Sequence, residues 1–256
     1  MSIKQSFAAA FFALCLLADN GQARAVTDND LGLIEASSRG DLRIFKMMLD
    51  MGANPDAVDN GRNSAILVAA YYSHRDLVRR LIELHANVNV KGSLGYTPLG
   101  AAAMRKDSEI VRMLIKAGAL LNDVDYLGET ALANAVRFQR DENVKLLLEA
   151  GADVDKVGDQ GETPLVLAIQ NGRFDYMNAL LAKGADVNLS VANLYGERGT
   201  ALYWAISEGR EEMAQRLIKS GANVILPVNG YTPLHWAKVS NMPLVVAQLQ
   251  KMGVAE

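Results

Sequence analysis

The chain has 256 residues, half of them hydrophobic, and a formal net charge of −3 at pH 7. That length and apolar fraction sustain one or two folded domains, and the near balance of charge excludes a global basic field of the kind that holds a nucleic-acid backbone. The sequence contains no acidic tail and no low-complexity tract.

The first element is amino-terminal. Lys4 precedes the apolar run Phe7 to Ala18, and Ala23-Arg24-Ala25 follows it. A charged start, a short apolar stretch and a small-x-small site are the parts of a secretory signal. The run falls short of the about 20 residues that cross a bilayer, which weighs against the rival reading of an uncleaved anchor. We therefore expect a signal peptide over residues 1–25, cleaved near Ala25, and a periplasmic or secreted mature domain over 26–256. Leu14 precedes Cys15 where a lipoprotein would carry a small residue. Cys15 is the one cysteine, so the mature chain is expected to lack disulfides, thiolate metal ligands and a cysteine nucleophile.

The next stretch, Asp28-Asn29-Asp30 and then Leu31 to Ala36, reads as a polar-fronted end unit. After it two patterns repeat in phase. Gly-Ala, followed by Asn or Asp except at Leu120, stands at Gly52, Gly118, Gly151, Gly184 and Gly221, with His85 replacing glycine in one copy, at steps of 33 residues from Gly52 to Gly184. The second pattern runs through Ser64-Ala65-Ile66, Thr97-Pro98-Leu99, Thr130-Ala131-Leu132, Thr163-Pro164-Leu165, Thr200-Ala201-Leu202 and Thr232-Pro233-Leu234. A fixed period of this size marks a stacked repeat.

Each position has a physical task. The Ser or Thr hydroxyl caps the first amides of a helix, typically worth about 1 kcal/mol, and proline follows where its missing N–H costs nothing. Five residues later comes an alanine, at Ala69, Ala102, Ala135, Ala168, Ala205 and Ala237, small enough for helices to approach closely. Stripes such as Val111, Leu114 and Ile115, or Val144, Leu147 and Leu148, form one face of a second helix. Asp107 and Asp141 are read as caps of those helices. Glycine then ends the second helix in the left-handed region, so His85 predicts strain or an altered cap.

Thr97-Pro98-Leu99, Ala101-Ala102, Ile110-Val111, Leu114 and Gly118-Ala119, with Gly184-Ala185-Asp186-Val187-Asn188, together resemble the ankyrin repeat, here of an exported bacterial type. The resemblance covers residues from about 28 to 256. It implies an all-α solenoid of about seven helix-turn-helix units, the first and last being caps, joined by β-turn fingers. One unit is longer, with four extra residues near Ser190 to Gly199, read as a loop insertion or a longer finger at the contact.

Chemistry has little to stand on. His74, His85 and His235 occupy ordinary repeat positions and form no metal pair on one helix face. Gly158-Asp159-Gln160-Gly161 recurs as a finger turn, and Glu211-Glu212 suits a solvated helix start. The chain is read as no enzyme, with no catalytic residues, no cofactor and no metal.

The resemblance instead directs attention to finger tips and first-helix ends. The finger positions include Asn60, Asn63, Ser93, Leu94, Tyr96, Tyr126, Leu127, Glu129, Asp159, Gln160, Glu162, Val228, Asn229 and Tyr231. From these and the helix ends, the protein-binding residues are expected to be Tyr71, Tyr72, Leu94, Tyr96, Met104, Arg105, Tyr126, Leu127, Arg137, Phe138 and Tyr231. Tyrosine and arginine are enriched at interface hot spots, though Tyr71 and Tyr72 equally suit packing against a neighbouring finger. Trp204 and Trp236, beside the alanine, are read as packing residues. The function so reached is a monomeric scaffold or adaptor that binds a protein partner, without nucleic acid and without membrane insertion once the signal is cleaved. Two rivals stand beside it: an inhibitor or immunity protein that blocks an enzyme or toxin, and an enzyme with a site on the 190–199 loop.

Overall fold

Six hydroxyls start six helices. Ser64, Thr97, Thr130, Thr163, Thr200 and Thr232 each accept a hydrogen bond from the amide three residues on, at 3.0 to 3.4 Å. The alanine five residues after each hydroxyl is fully buried at all six positions. Leu99, Leu132 and Leu202 beside them are equally inaccessible, each worth about 1.5–3 kcal/mol on burial.

These elements belong to a computed structural model, which describes residues 26–192 and 198–254. The signal peptide expected over residues 1–25 and the tip of the longer finger lie outside the described residues. The chain divides into two compact units, one ending at Tyr126 and the other beginning at Leu127.

The first unit holds three helix pairs: α1 (Asp28–Arg39) with α2 (Leu42–Asp50), α3 (Ala65–Tyr71) with α4 (Arg75–Glu83), and α5 (Pro98–Ala103) with α6 (Ser108–Lys116). Helix α1 packs on α3, and α3 on α5, so first helices stack on first helices. The second unit holds four pairs: α7 (Ala131–Arg137) with α8 (Asp141–Ala150), α9 (Pro164–Gln170) with α10 (Phe174–Ala182), α11 (Ala201–Ser207) with α12 (Glu211–Lys219), and α13 (Pro233–Val239) with α14 (Pro243–Lys251). Its first helices stack in the same way, α7 on α9, α9 on α11 and α11 on α13. The described residues thus contain the seven helix pairs expected. Between α10 and α11 the inserted residues pair as two short strands, β1 (Val191–Ala192) and β2 (Arg198–Gly199), antiparallel with Val191 opposite Gly199.

The end units differ where a neighbour would cover them. Lys238 and Gln250 are exposed at the repeat positions where Ile206 and Ile218 are buried. Glu35 is likewise exposed where the following unit buries Val68. Polar substitution at those positions is how a terminal repeat meets water.

Gly52, Gly118, Gly151, Gly184 and Gly221 take φ between 86° and 91°, and His85 takes 59° at the same place. A side chain in that region costs about 1–2 kcal/mol, against about 0.5–1 kcal/mol of extra chain entropy for glycine. His85→Gly is therefore expected to stabilise the protein by about 0.5 kcal/mol and to raise the melting temperature by about 1–2 °C. A lower melting temperature in a thermal scan would count against strain at His85.

The residues after the glycine have a role that spacing did not show. Within the first unit the Asp56 carboxylate accepts from the Asn87 amide at 2.7 Å, and the Asn89 side chain accepts from Leu120 at 2.8 Å. Within the second, Asp155 accepts from Asp186 at 2.9 Å and Asn188 from Asn223 at 2.6 Å. Besides stopping the helix, this segment ties one repeat to the next within each unit.

Candidate functional site

The fingers are tight turns, and some of them bond to the finger beside them through the backbone. In the first unit Gly92 N–H donates to the Tyr96 carbonyl at 2.9 Å, and Tyr126 N–H donates to the Leu94 carbonyl at 2.9 Å. Gly95, at φ 70°, permits this approach: a Cβ there would lie 3.2 Å from the Asp125 Cα. The backbone contact brings the next side chains together, and the Tyr96 and Tyr126 rings meet edge to face at 6.0 Å.

The end of α3 supplies a second group of rings. Tyr71 and Tyr72 meet edge to face at 5.1 Å, and the Arg105 guanidinium lies 5.0 Å from the centre of the Tyr71 ring. Tyr72 also stacks near His74, whose Nε2 donates to the Ser38 carbonyl at 3.0 Å. Burial pushes the Tyr72 phenol pKa upward, with Tyr71 adding to the shift and Arg105 opposing it. Tyr72 is 38% exposed and Tyr126 45%, large fractions for apolar-bodied side chains. Tyr71, Leu94, Tyr96 and Arg105 are half-buried.

Not every expected contact residue lies at the surface. Met104 is buried at 9% exposure. Asn63 is also buried, its amide nitrogens donating to Asp59 at 2.7 and 3.1 Å from backbone and side chain.

In the second unit Phe138 and Tyr231 are 38% and 50% exposed, and Leu127 is half-buried with its carbonyl accepting from Asp159 at 2.7 Å. Arg137 is committed elsewhere: its guanidinium bonds Glu129 and, at 2.6 Å, Glu162. Burial opposes the charge of Arg137, but the hydrogen bonds and charges of both glutamates outweigh it and hold its pKa above the ordinary value. Glu129, expected on an exposed finger, is buried as part of this cluster.

Asp107 caps α6 as expected and also pairs with Arg75 at 2.9 Å. Asp141 does not cap α8: Arg140 holds the cap position, and Asp141 accepts from Tyr176 and Arg173 of the following pair. The Tyr176 hydroxyl and then Arg173 hold the Asp141 carboxyl below its ordinary 3.8, and Arg173 does the same for Asp175. Both groups therefore contribute stability above pH 3.8 that is lost as the pH falls through their lower folded values. In Arg173→Gln both carboxyls return toward 3.8, so the deficit in melting temperature seen near pH 6 is expected to shrink below about pH 3. A deficit that stays constant down to pH 2 would contradict this.

The second unit holds an aromatic cluster that joins Tyr231, expected at the contact, to Trp204 and Trp236, expected as packing residues. Tyr203, Trp204, Tyr231, His235 and Trp236 are linked ring to ring at 4.3 to 5.9 Å, and the Trp236 indole donates to the Val228 carbonyl at 3.2 Å. Trp204 and Trp236 are half-buried within it, so packing accounts for only part of each ring. The signal was available: both tryptophans stand four residues after the capping threonine, Thr200 or Thr232.

A hollow of about 450 Å³ in the first unit is lined by Ser73, His74, Arg75 and Asp107, but His74 is bonded to a carbonyl and Arg75 to Asp107. Among the described residues no group of three or more His, Cys, Asp or Glu is placed to hold a metal ion, and no helix is long and apolar enough to cross a membrane.

Stacked helix hairpins with bonded fingers and aromatic first-helix ends define a helical repeat protein that presents side chains from successive turns. A family model described as ankyrin repeats, in three copies, matches residues 33–125, 119–191 and 190–254. The chain belongs to the ankyrin-repeat family, whose repeats are protein-interaction modules. It is similar to the ankyrin repeat and KH domain-containing protein mask of Drosophila melanogaster, at 36% identity over 69 residues, 26% of this chain and 2% of that protein. It is also similar to the E3 ubiquitin-protein ligase XB3 of Oryza sativa subsp. japonica, at 35% over 78 residues, 30% of this chain and 17% of that one. A third likeness is to the ankyrin repeat-containing protein P1E11.10 of Schizosaccharomyces pombe, at 34% over 64 residues, 25% and 31% of the two chains. The chain spans less than a third of the length of each of these relatives.

Proposed function

We propose that this chain is a non-enzymatic scaffold or adaptor, exported to the periplasm or secreted, that holds a protein partner on the fingers and first-helix ends of its first unit. The observation that carries this reading is the pairing of Tyr96 and Tyr126 on successive fingers, with Tyr72 exposed at the end of α3. Such rings offer large contact area at a small cost in side-chain entropy. Phe138 and Tyr231 are contact candidates of the second unit. The charged, apolar and small-x-small pattern of residues 1–25 supports export.

The test has two arms. The purified full chain and its Tyr72→Ala, Tyr96→Ala, Tyr126→Ala triple variant are compared for partner binding and helical circular dichroism. Equal helicity with lost binding is expected, and undiminished binding would refute the placement of the face. Fractionation with mass measurement of the amino terminus tests export, and intact residues 1–25 on a cytosolic protein would overturn the localisation.

A further inference from the structure

Three Asn-Gly pairs lie in the described residues, beginning at Asn60, Asn171 and Asn229. Such a pair supports one reaction that needs no catalyst, because glycine leaves its own amide nitrogen unshielded beside the asparagine carboxamide. That nitrogen attacks Cγ, a succinimide ring closes, and the side-chain nitrogen leaves as ammonia with the glycine N–H proton. Water then opens the ring at either carbonyl, giving aspartate or isoaspartate.

The fold treats the three pairs differently. Asn171 is locked: its side-chain nitrogen donates to the Val136 carbonyl at 3.1 Å, and the Gly172 N–H donates to the Ile169 carbonyl at 2.9 Å. At Asn60 the glycine that follows, Gly61, is buried. Asn229 and Gly230 are both exposed, at the tip of the finger before α13. They take φ 52° and 81°, the two positive values of a type I′ turn. Val228 and Tyr231 close that turn with two backbone bonds, at 2.9 and 3.0 Å. Among the described residues, neither the Asn229 side chain nor the peptide between Asn229 and Gly230 makes a hydrogen bond.

That untied peptide is able to turn over. Its flip converts type I′ to type II′, keeps both closing bonds and moves ψ of Asn229 to about −120°. At that angle the Gly230 nitrogen eclipses the Asn229 Cβ, the alignment that ring closure needs. Space beside Gly230 is open: beyond its chain neighbours, no heavy atom lies within 4 Å of where a Cβ would stand. We propose that Asn229 is a site of spontaneous deamidation in the folded protein, yielding isoaspartate as well as aspartate. The product places a carboxylate on the finger that carries Tyr231, and isoaspartate adds a carbon to the backbone of the turn. Because the Val228 carbonyl also accepts from the Trp236 indole, the change reaches the aromatic cluster.

Peptide mapping of the purified full chain, with fragmentation that separates isoaspartate from aspartate, tests this after incubation at mildly alkaline pH, which favours loss of the glycine N–H proton. In the folded chain Asn229 is expected to convert at least about tenfold faster than Asn171 or Asn60, whose surroundings must open first. In guanidinium chloride, where the turns are lost, the three are expected to convert at similar rates, since glycine follows each. A folded-state rate at Asn229 no greater than at Asn171 or Asn60 would overturn the proposal. So would the same spread of rates in denaturant, which would trace the selectivity to flanking sequence and not to the turn.

Discussion

Replacing Arg137 with methionine is expected to destabilise the second unit by about 3 kcal/mol, the cost of leaving a buried charge without its partner. The reason lies in what remains. The Glu129 side chain is 3% exposed and that of Glu162 19%, and Arg137 is the cation that bonds both. Methionine retains most of the packing volume of the arginine stem, so the loss reports charge rather than a cavity. Removing the carboxylate charges should then recover much of the stability. Arg137→Met combined with Glu129→Gln and Glu162→Gln is expected to unfold at higher denaturant than the single variant. Urea titrations of the two variants decide it. If the triple variant is no more stable than the single one, the cluster contributes through shape and not through charge.

The second large effect concerns binding. Tyr126→Ala is expected to weaken partner affinity by about 30-fold, the scale of an interface hot spot of about 2 kcal/mol, and Tyr96→Ala by a similar factor. Because the two rings touch, the double variant should lose less than the product of the single losses. Tyr71→Ala should cost less than either, since Tyr71 is half-buried and acts through the rings and the guanidinium beside it. Titration calorimetry on the parent, three single variants and one double variant measures all four quantities. Strict additivity of Tyr96 and Tyr126 would separate them into independent contacts.

Much of the fold is written locally. A hydroxyl, a proline and an alanine at fixed spacing determine where a helix starts and how near its neighbour comes, and those interactions span only a few residues. The seven helix pairs follow from them. What spacing did not convey is how a side chain divides its bonds between partners distant in the chain. Asp107 and Asp141 differ by one place in the repeat, since Arg140 stands where Asp107 does; Asp107 caps its own helix and Asp141, inside the next one, serves Arg173 and Tyr176 of the following pair. Arg137 resembles a contact residue until Glu129 and Glu162 are seen on either side of it. Met104 follows the last residue of α5, at a place read as a contact, yet it is buried at 9% exposure. The Asp and Asn ladder joins residues about 31 to 35 positions apart and becomes visible only once the units are stacked.

The fingers of the first unit are proposed to touch the partner. A photo-crosslinking aromatic amino acid placed at the position of Tyr126, and separately at that of exposed Lys116 on α6, tests it most directly. In the native compartment, illumination should give one discrete adduct from the Tyr126 position and none from the Lys116 position. Equal adducts from both positions, or an adduct from Lys116 alone, would contradict the account.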